Sequence, residues 1–147
     1  MKIGFVCNEV ETEQEGYTTV RLAWEAVNQG HQVYYMGVGD FAYDPDESIC
    51  ARAYTVPKKK YKTLTNFFAD LQGKNAIRAR INANELDVLM LRNVPSDDFI
   101  TRPWATTPGI EFGRLAIRQG VIVVNDPNGL AKASSKMYFQ LFLLIRF

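Results

Sequence analysis

Short apolar runs alternate along this chain with segments of helical period. Ile3-Gly4-Phe5-Val6-Cys7 has the composition of a strand buried on both faces, and Asn8-Glu9 ends it. Val20, Ala23, Trp24 and Val27 then fall at i, i+3, i+4 and i+7, which predicts an amphipathic helix capped by Thr18 or Thr19 and stopped at Gly30. Gln32 to Met36 supplies a second strand, so residues 3–36 read as a strand-helix-strand unit with parallel strands.

The next segment departs from that pattern. Phe41-Ala42-Tyr43, the turn Asp44-Pro45-Asp46-Glu47 and the run Ile49 to Val56 read as an inserted hairpin. Lys58 to Lys62 is a solvated linker, a helix is expected around Leu64, Phe67, Phe68 and Leu71, and the polar stretch Gln72 to Asn84 reads as partly helical. Leu86 to Leu91 returns to a buried strand, a helix is predicted from Pro108 to Gln119, and Gly120 opens the strand Val121 to Val124. Ser134 or Ser135 is then expected to cap a further helix that carries Lys136 in its first turn. Two such units imply an α/β protein, a three-layer α/β/α open and mainly parallel sheet with an inserted β-hairpin. In such sheets ligands sit beyond the carboxyl ends of the strands, which directs attention to Asn8, Gly37, Arg92, Asn93, Asn125 and Asp126.

Composition narrows the chemistry. At 147 residues the chain suits one globular core, and its 17 basic and 16 acidic residues leave a formal charge of +1, too small a field to recruit nucleic acid or an anionic membrane. No apolar stretch approaches the roughly 18 to 20 residues that cross a bilayer. Cys7 and Cys50 have no metal-ligand or C-x-x-C spacing, and Met1-Lys2 leads directly into a strand, so a reducing cytoplasm is expected.

Several common sites are missing. There is no phosphate loop and no nucleophile elbow, and the lone histidine, His31, sits at a strand entrance without partners for a triad. Gly37-Val38-Gly39-Asp40-Phe41-Ala42 matches a dinucleotide fingerprint only in letters, because Asp44-Pro45-Asp46 follows where its helix should begin. Glu9, Glu11, Glu13 and Glu15 read as surface charge before a helix rather than as cation ligands. Arg92 differs from these: it follows an apolar strand directly, so its planar guanidinium should emerge at the ligand edge, suited to a carboxylate or phosphate, or else cap the sheet edge.

Met36-Gly37-Val38-Gly39-Asp40, Leu86 to Pro95, Val121 to Asn125 and Ser135-Lys136-Met137-Tyr138-Phe139, in that order and spacing, resemble the landmarks of the amino-terminal portion of prokaryotic glutathione synthetases, within the ATP-grasp carboxylate-amine ligases. The resemblance covers essentially the whole chain. It implies a pre-ATP-grasp, Rossmann-like domain over 1–127 and the beginning of a truncated ATP-grasp region over 128–147. It also implies a reaction in which ATP, with Mg²⁺, phosphorylates a carboxylate and an amine attacks the acyl phosphate, joining γ-glutamylcysteine to glycine. By position, Lys136 corresponds to the lysine that reaches bound nucleotide, while Arg92, Asn8 and Asn93 line the substrate side. Val94 and Ser135 depart from the family pattern, where an acidic residue and an asparagine are usual.

The ATP-grasp lobes are expected beyond Phe147 as the principal partner, so the chain alone is expected to be inactive and to hold neither ATP nor Mg²⁺ tightly. Its other expected partners are small peptide or amino-acid substrates and, in a homo-oligomer, other copies of itself. A reading of another class is a stand-alone binding or assembly domain that docks through the apolar tail Leu141 to Phe147. A third, a nucleotide-binding dehydrogenase-type module, would be recognised by NAD quenching of Trp24 or Trp104.

Overall fold

The computed structural model describes residues 1–133. Lys136, the expected caps Ser134 and Ser135, and the tail Leu141 to Phe147 lie outside the described residues. Among the described residues seven strands form one sheet. Four of them are parallel: β1 (Lys2–Cys7) lies between β2 (Gln32–Gly37) and β6 (Val88–Leu91), and β7 (Ile122–Val124) follows β6. The inserted hairpin is β3 (Phe41–Tyr43) and β4 (Ile49–Thr55), with β4 running antiparallel to β2 and β3, and β5 (Ile77–Asn82) pairs along the other side of β4. The sheet is therefore mixed, with a parallel half that carries the crossovers and an antiparallel half built outward from β2.

The helices complete three layers. Helix α1 (Thr18–Asn28) and α2 (Leu64–Gln72) cover one face, where Phe5, Cys7 and Tyr35 meet Val20, Ala23, Phe67 and Leu71. Helix α3 (Pro108–Arg118) covers the other, where Phe112 and Ala116 meet Val6, Met36, Leu89 and Leu91. This alternation along β1, Phe5 and Cys7 to one side and Val6 to the other, is what a strand buried on both faces requires. Gly30 and Gly120, at φ +87° and +86°, end α1 and α3 in the left-handed conformation that a side chain disfavours.

Two expectations need correction. The stretch Gln72 to Asn84 is mainly a strand: Ile77, Ala79 and Ile81 alternate with Arg78, Arg80 and Asn82 and pair with β4, and after Gln72 helical structure returns only as a short 3-10 turn at Ala83–Glu85. Neither Thr18 nor Thr19 caps α1, whose N-cap position is Tyr17, with no side-chain cap bond. The last described helix, α4 (Pro127–Ala133), opens at Asp126, whose carboxylate accepts from the backbone N–H groups of Asn128 (3.2 Å) and Gly129 (2.9 Å), with Pro127 in the first position.

Helix α2 shows how such a cap acts where one is present. Thr63 accepts a hydrogen bond from the Asn66 N–H at 3.3 Å. Thr63→Ala should lower stability by about 1 kcal/mol, read as a shift in the urea midpoint with an unchanged slope.

Candidate functional site

Strand β1 leads through α1 to β2 on one side, while β6 lies against its other side. The gap beyond the carboxyl ends of β1 and β6 is thus the topological switch point of the parallel half, the place where open sheets of this kind bind ligands. Asn8 follows β1, and Arg92 and Asn93 follow β6, so all three residues picked from sequence meet there. Because side chains alternate across a sheet, Arg92 turns toward α1 and Asn93 toward α3.

Arg92 is half-buried and anchored twice. Its backbone N–H donates to the Val6 carbonyl at 2.8 Å, extending the β1–β6 ladder, and its Nε donates to the Thr19 hydroxyl at 3.4 Å. Among the described residues its two terminal nitrogens have no hydrogen-bond partner, which leaves the fork of the guanidinium for a carboxylate or phosphate. Glu13 approaches the same place. Burial raises its pKa, while the hydroxyl of Tyr35, which donates to it at 2.5 Å, and the nearby Arg92 charge pull it down. Burial and the Glu13 contact in turn push the Tyr35 phenol far up, so it stays a donor.

Asn93 is 4% exposed, and neither Oδ1 nor Nδ2 has a hydrogen-bond partner. The amide lies against Gly109 at the start of α3, where a Cβ would come within 2.8 Å of both amide atoms; only a glycine lets it approach so closely. A buried, unpaired amide is costly. It is the one buried side chain with unsatisfied polar atoms among the described residues.

Asn8 has a different surrounding. Its Nδ2 donates to the Val94 carbonyl (2.9 Å) and to Asp98 (2.8 Å), and its Oδ1 accepts from the Val94 N–H at 2.8 Å. The amide therefore fastens the segment after β6 onto the end of β1. A second fastening, which sequence reasoning missed, is built on Arg102: it pairs with the buried Asp98 (2.8 Å), with Glu9 and with the Asn8 carbonyl (3.3 Å), and lies over the Trp104 ring. The Asp98–Arg102 spacing of four was the only local signal. Asn125, at φ +64°, donates to the Leu91 carbonyl at 2.6 Å and closes the end of β6 from the other side.

The acidic loop is shared out among separate partners. Glu9 pairs with Arg102, Glu11 accepts from Tyr54 (2.7 Å), Glu13 from Tyr35, and Glu15 from Thr65 (2.6 Å). These four carboxylates point to four different elements, and among the described residues no group of three or more His, Cys, Asp or Glu side chains gathers as a metal site. Cys7 is a core residue: burial, then the charges of Glu13 and Asp40, push its thiol well up, and its Sγ donates to the Met36 carbonyl at 3.5 Å. His31 lies at the amino end of β2, beside a cavity of about 600 Å³ that opens away from the switch point. The chemistry-bearing groups sit at the opposite edge of the sheet. Among the described residues no helix is long and apolar enough to cross a membrane.

The sequence profile described as "Prokaryotic glutathione synthetase, N-terminal domain" matches residues 1–131. No curated protein matches the sequence.

Proposed function

The chain belongs to the family of prokaryotic glutathione synthetase N-terminal domains, and from that premise we propose that it forms the substrate-side wall of an ATP-dependent carboxylate-amine ligase. The overall reaction would phosphorylate the carboxylate of a γ-glutamyl dipeptide with ATP and let the amine of glycine displace the phosphate. The observation that carries this reading is Arg92, held at the switch point by Thr19 through Nε while the rest of its guanidinium has no hydrogen-bond partner among the described residues. A carboxylate that docks there is oriented by two parallel N–H donors, which favours one pose of a flexible peptide. Asn93, on the far side of the same strand end, supplies an amide able to donate and accept.

The described residues do not fit a magnesium–nucleotide site, since the acidic side chains nearby are each engaged elsewhere. Their role in this reading is to bind and orient the peptide. ATP and Mg²⁺ would be held by ATP-grasp lobes joined to this domain, with Lys136 at the junction. Cys7 and Cys50, both buried and unpaired, fit a reducing cytoplasm.

Arg92→Ala in the protein completed with its ATP-grasp lobes should raise KM for the γ-glutamyl dipeptide about 10- to 100-fold and leave KM for ATP unchanged, as expected for removal of one charge-assisted contact. ADP release with ATP, Mg²⁺, dipeptide and glycine is the readout. Arg92→Lys should recover only part of the loss, because an ammonium cannot form the paired contact. An unchanged dipeptide KM would remove Arg92 from the site, and no ADP release by the wild-type protein would remove the ligase reading.

A further inference from the structure

We propose that the segment Met137-Tyr138-Phe139 docks on its own domain, in the apolar groove at the end of α4, and so ties the turns of the switch point to the place where the chain leaves the domain. The docking is independent of the ligase reading. The groove lies between α4, the start of α3 and two 3-10 turns, Pro95–Asp98 and Pro103–Thr106. Pro95, Phe99, Thr106, Ile110, Leu130 and Ala131 line it, around a volume of about 270 Å³. That is just under the roughly 300 to 1,000 Å³ of small-molecule pockets, and it suits a few side chains better than a ligand.

The groove asks for an apolar occupant. The charged side chains of its wall, Glu111 and Arg114, are paired with each other at 2.9 Å, and Arg114 also donates to Asn128 at 3.1 Å. Phe99, by contrast, is 58% exposed at the groove's edge. Covering its ring is favourable in proportion to the apolar area taken out of water.

The chain supplies the cover. Leu130 and Ala131 belong to the end of α4, so the polypeptide leaves the described residues at the rim of the groove itself. Met137 comes four residues after Ala133, and four residues span at most ~14 Å, which keeps it within reach of Phe99. It opens a run of three large apolar or aromatic side chains, Met137, Tyr138 and Phe139, behind the polar Ser134-Ser135-Lys136. A tether this short gives an effective concentration in the millimolar range, above that of a second copy of the chain in dilute solution.

The groove shares its turns with the switch point. Asn8 holds Val94 and Asp98 there, and Arg102 holds Asp98 and Glu9. A segment docked against Pro95 and Phe99 therefore fixes the exit of the chain, and Lys136 with it, relative to the ends of β1 and β6.

Limited trypsin digestion of the full chain, read by mass spectrometry, tests this at Lys136, with cleavage at the exposed Lys59 and Lys60 as the internal reference. Phe99→Asp and Met137→Asp should each raise the relative rate at Lys136 about tenfold, because proteolysis follows the population of the open form. The double variant should go no further than either single one, since both remove the same contact. Phe99 is exposed, so Phe99→Asp should keep the wild-type circular dichroism. Ile122→Asp changes a 65% exposed apolar side chain that lies opposite Val88, on the α1 side of the sheet, and should leave the rate unchanged. Wild-type cleavage at Lys136 as fast as in Phe99→Asp, or additive effects in the double variant, would overturn the proposal. So would release by Ile122→Asp, which puts the segment on β7, or protection that falls on dilution, which puts a second copy in the groove.

Discussion

Arg102→Ala should destabilise the fold by about 3 kcal/mol or more, the largest stability loss expected from any polar substitution at the switch point. The reason is what it leaves behind. The side chain of Asp98 is only 6% exposed, and without Arg102 its charge keeps a single neutral donor, the Asn8 amide at 2.8 Å. Removing one member of a buried pair costs about 3 to 5 kcal/mol, because the other charge remains desolvated. Glu9 and the Asn8 carbonyl lose a partner in the same step, and the Trp104 ring loses the cation above it. Urea denaturation reads the loss. The double variant Arg102→Ala/Asp98→Asn separates its causes: recovery of a large part of the stability identifies the stranded carboxylate, whereas no recovery assigns the effect to packing on Trp104. A loss below about 1 kcal/mol would show that the pair contributes no more than an exposed one.

Asn93→Leu should act in the opposite direction on stability and against function. Leucine has nearly the shape of asparagine, and the replaced amide has no partner for either polar atom, so its removal should stabilise the domain by about 1 to 3 kcal/mol. In a protein that joins this domain to ATP-grasp lobes, as proposed, the same change should raise KM for the γ-glutamyl dipeptide at least tenfold if the amide is kept for substrate. The pairing of a higher melting temperature with a weaker enzyme is the signature to look for, because a structural role would move both downward. A lower melting temperature would show that the amide is already bonded in the folded chain, through an ordered water, and would take Asn93 out of the substrate site.

The elements that depend on uninterrupted apolar runs or on helical period could be read from the sequence: β1, α1, β2, the β3–β4 hairpin, α2, β6, α3 and β7. Strand β5 could not, because Arg78 and Arg80 make Ile77-Arg78-Ala79-Arg80-Ile81 look polar, and its period of two shows only once the strand is known to lie at an edge with one face exposed.

The positions of the candidate site followed from where the apolar runs stop, which is why Asn8, Arg92 and Asn93 were legible. Their surroundings were not. Glu9 and Arg102 are 93 residues apart, and Glu13 and Tyr35 meet only because the loop before α1 folds back over β2. Nothing within a few residues of any of them signals such a contact. The same holds for Arg52 and Arg80, which face each other across β4 and β5 in a register that depends on the length of the linker and helix between them.

The central place of β1 sets the order in which the molecule can be made. Its first neighbour, β2, begins only about thirty residues later, so Ile3↔Val33 can form while the chain is short, but its other neighbour pairs Ile3 with Val88. Until residue 91 has been synthesised, one edge of β1 has no partner, and Arg102 comes later still. Contacts of such long sequence separation form slowly, since the whole intervening loop must be closed first. During synthesis the nascent chain therefore carries an open, apolar strand edge for most of its length, and the two fastenings at Asn8 and Arg102 mark the moment when that exposure ends.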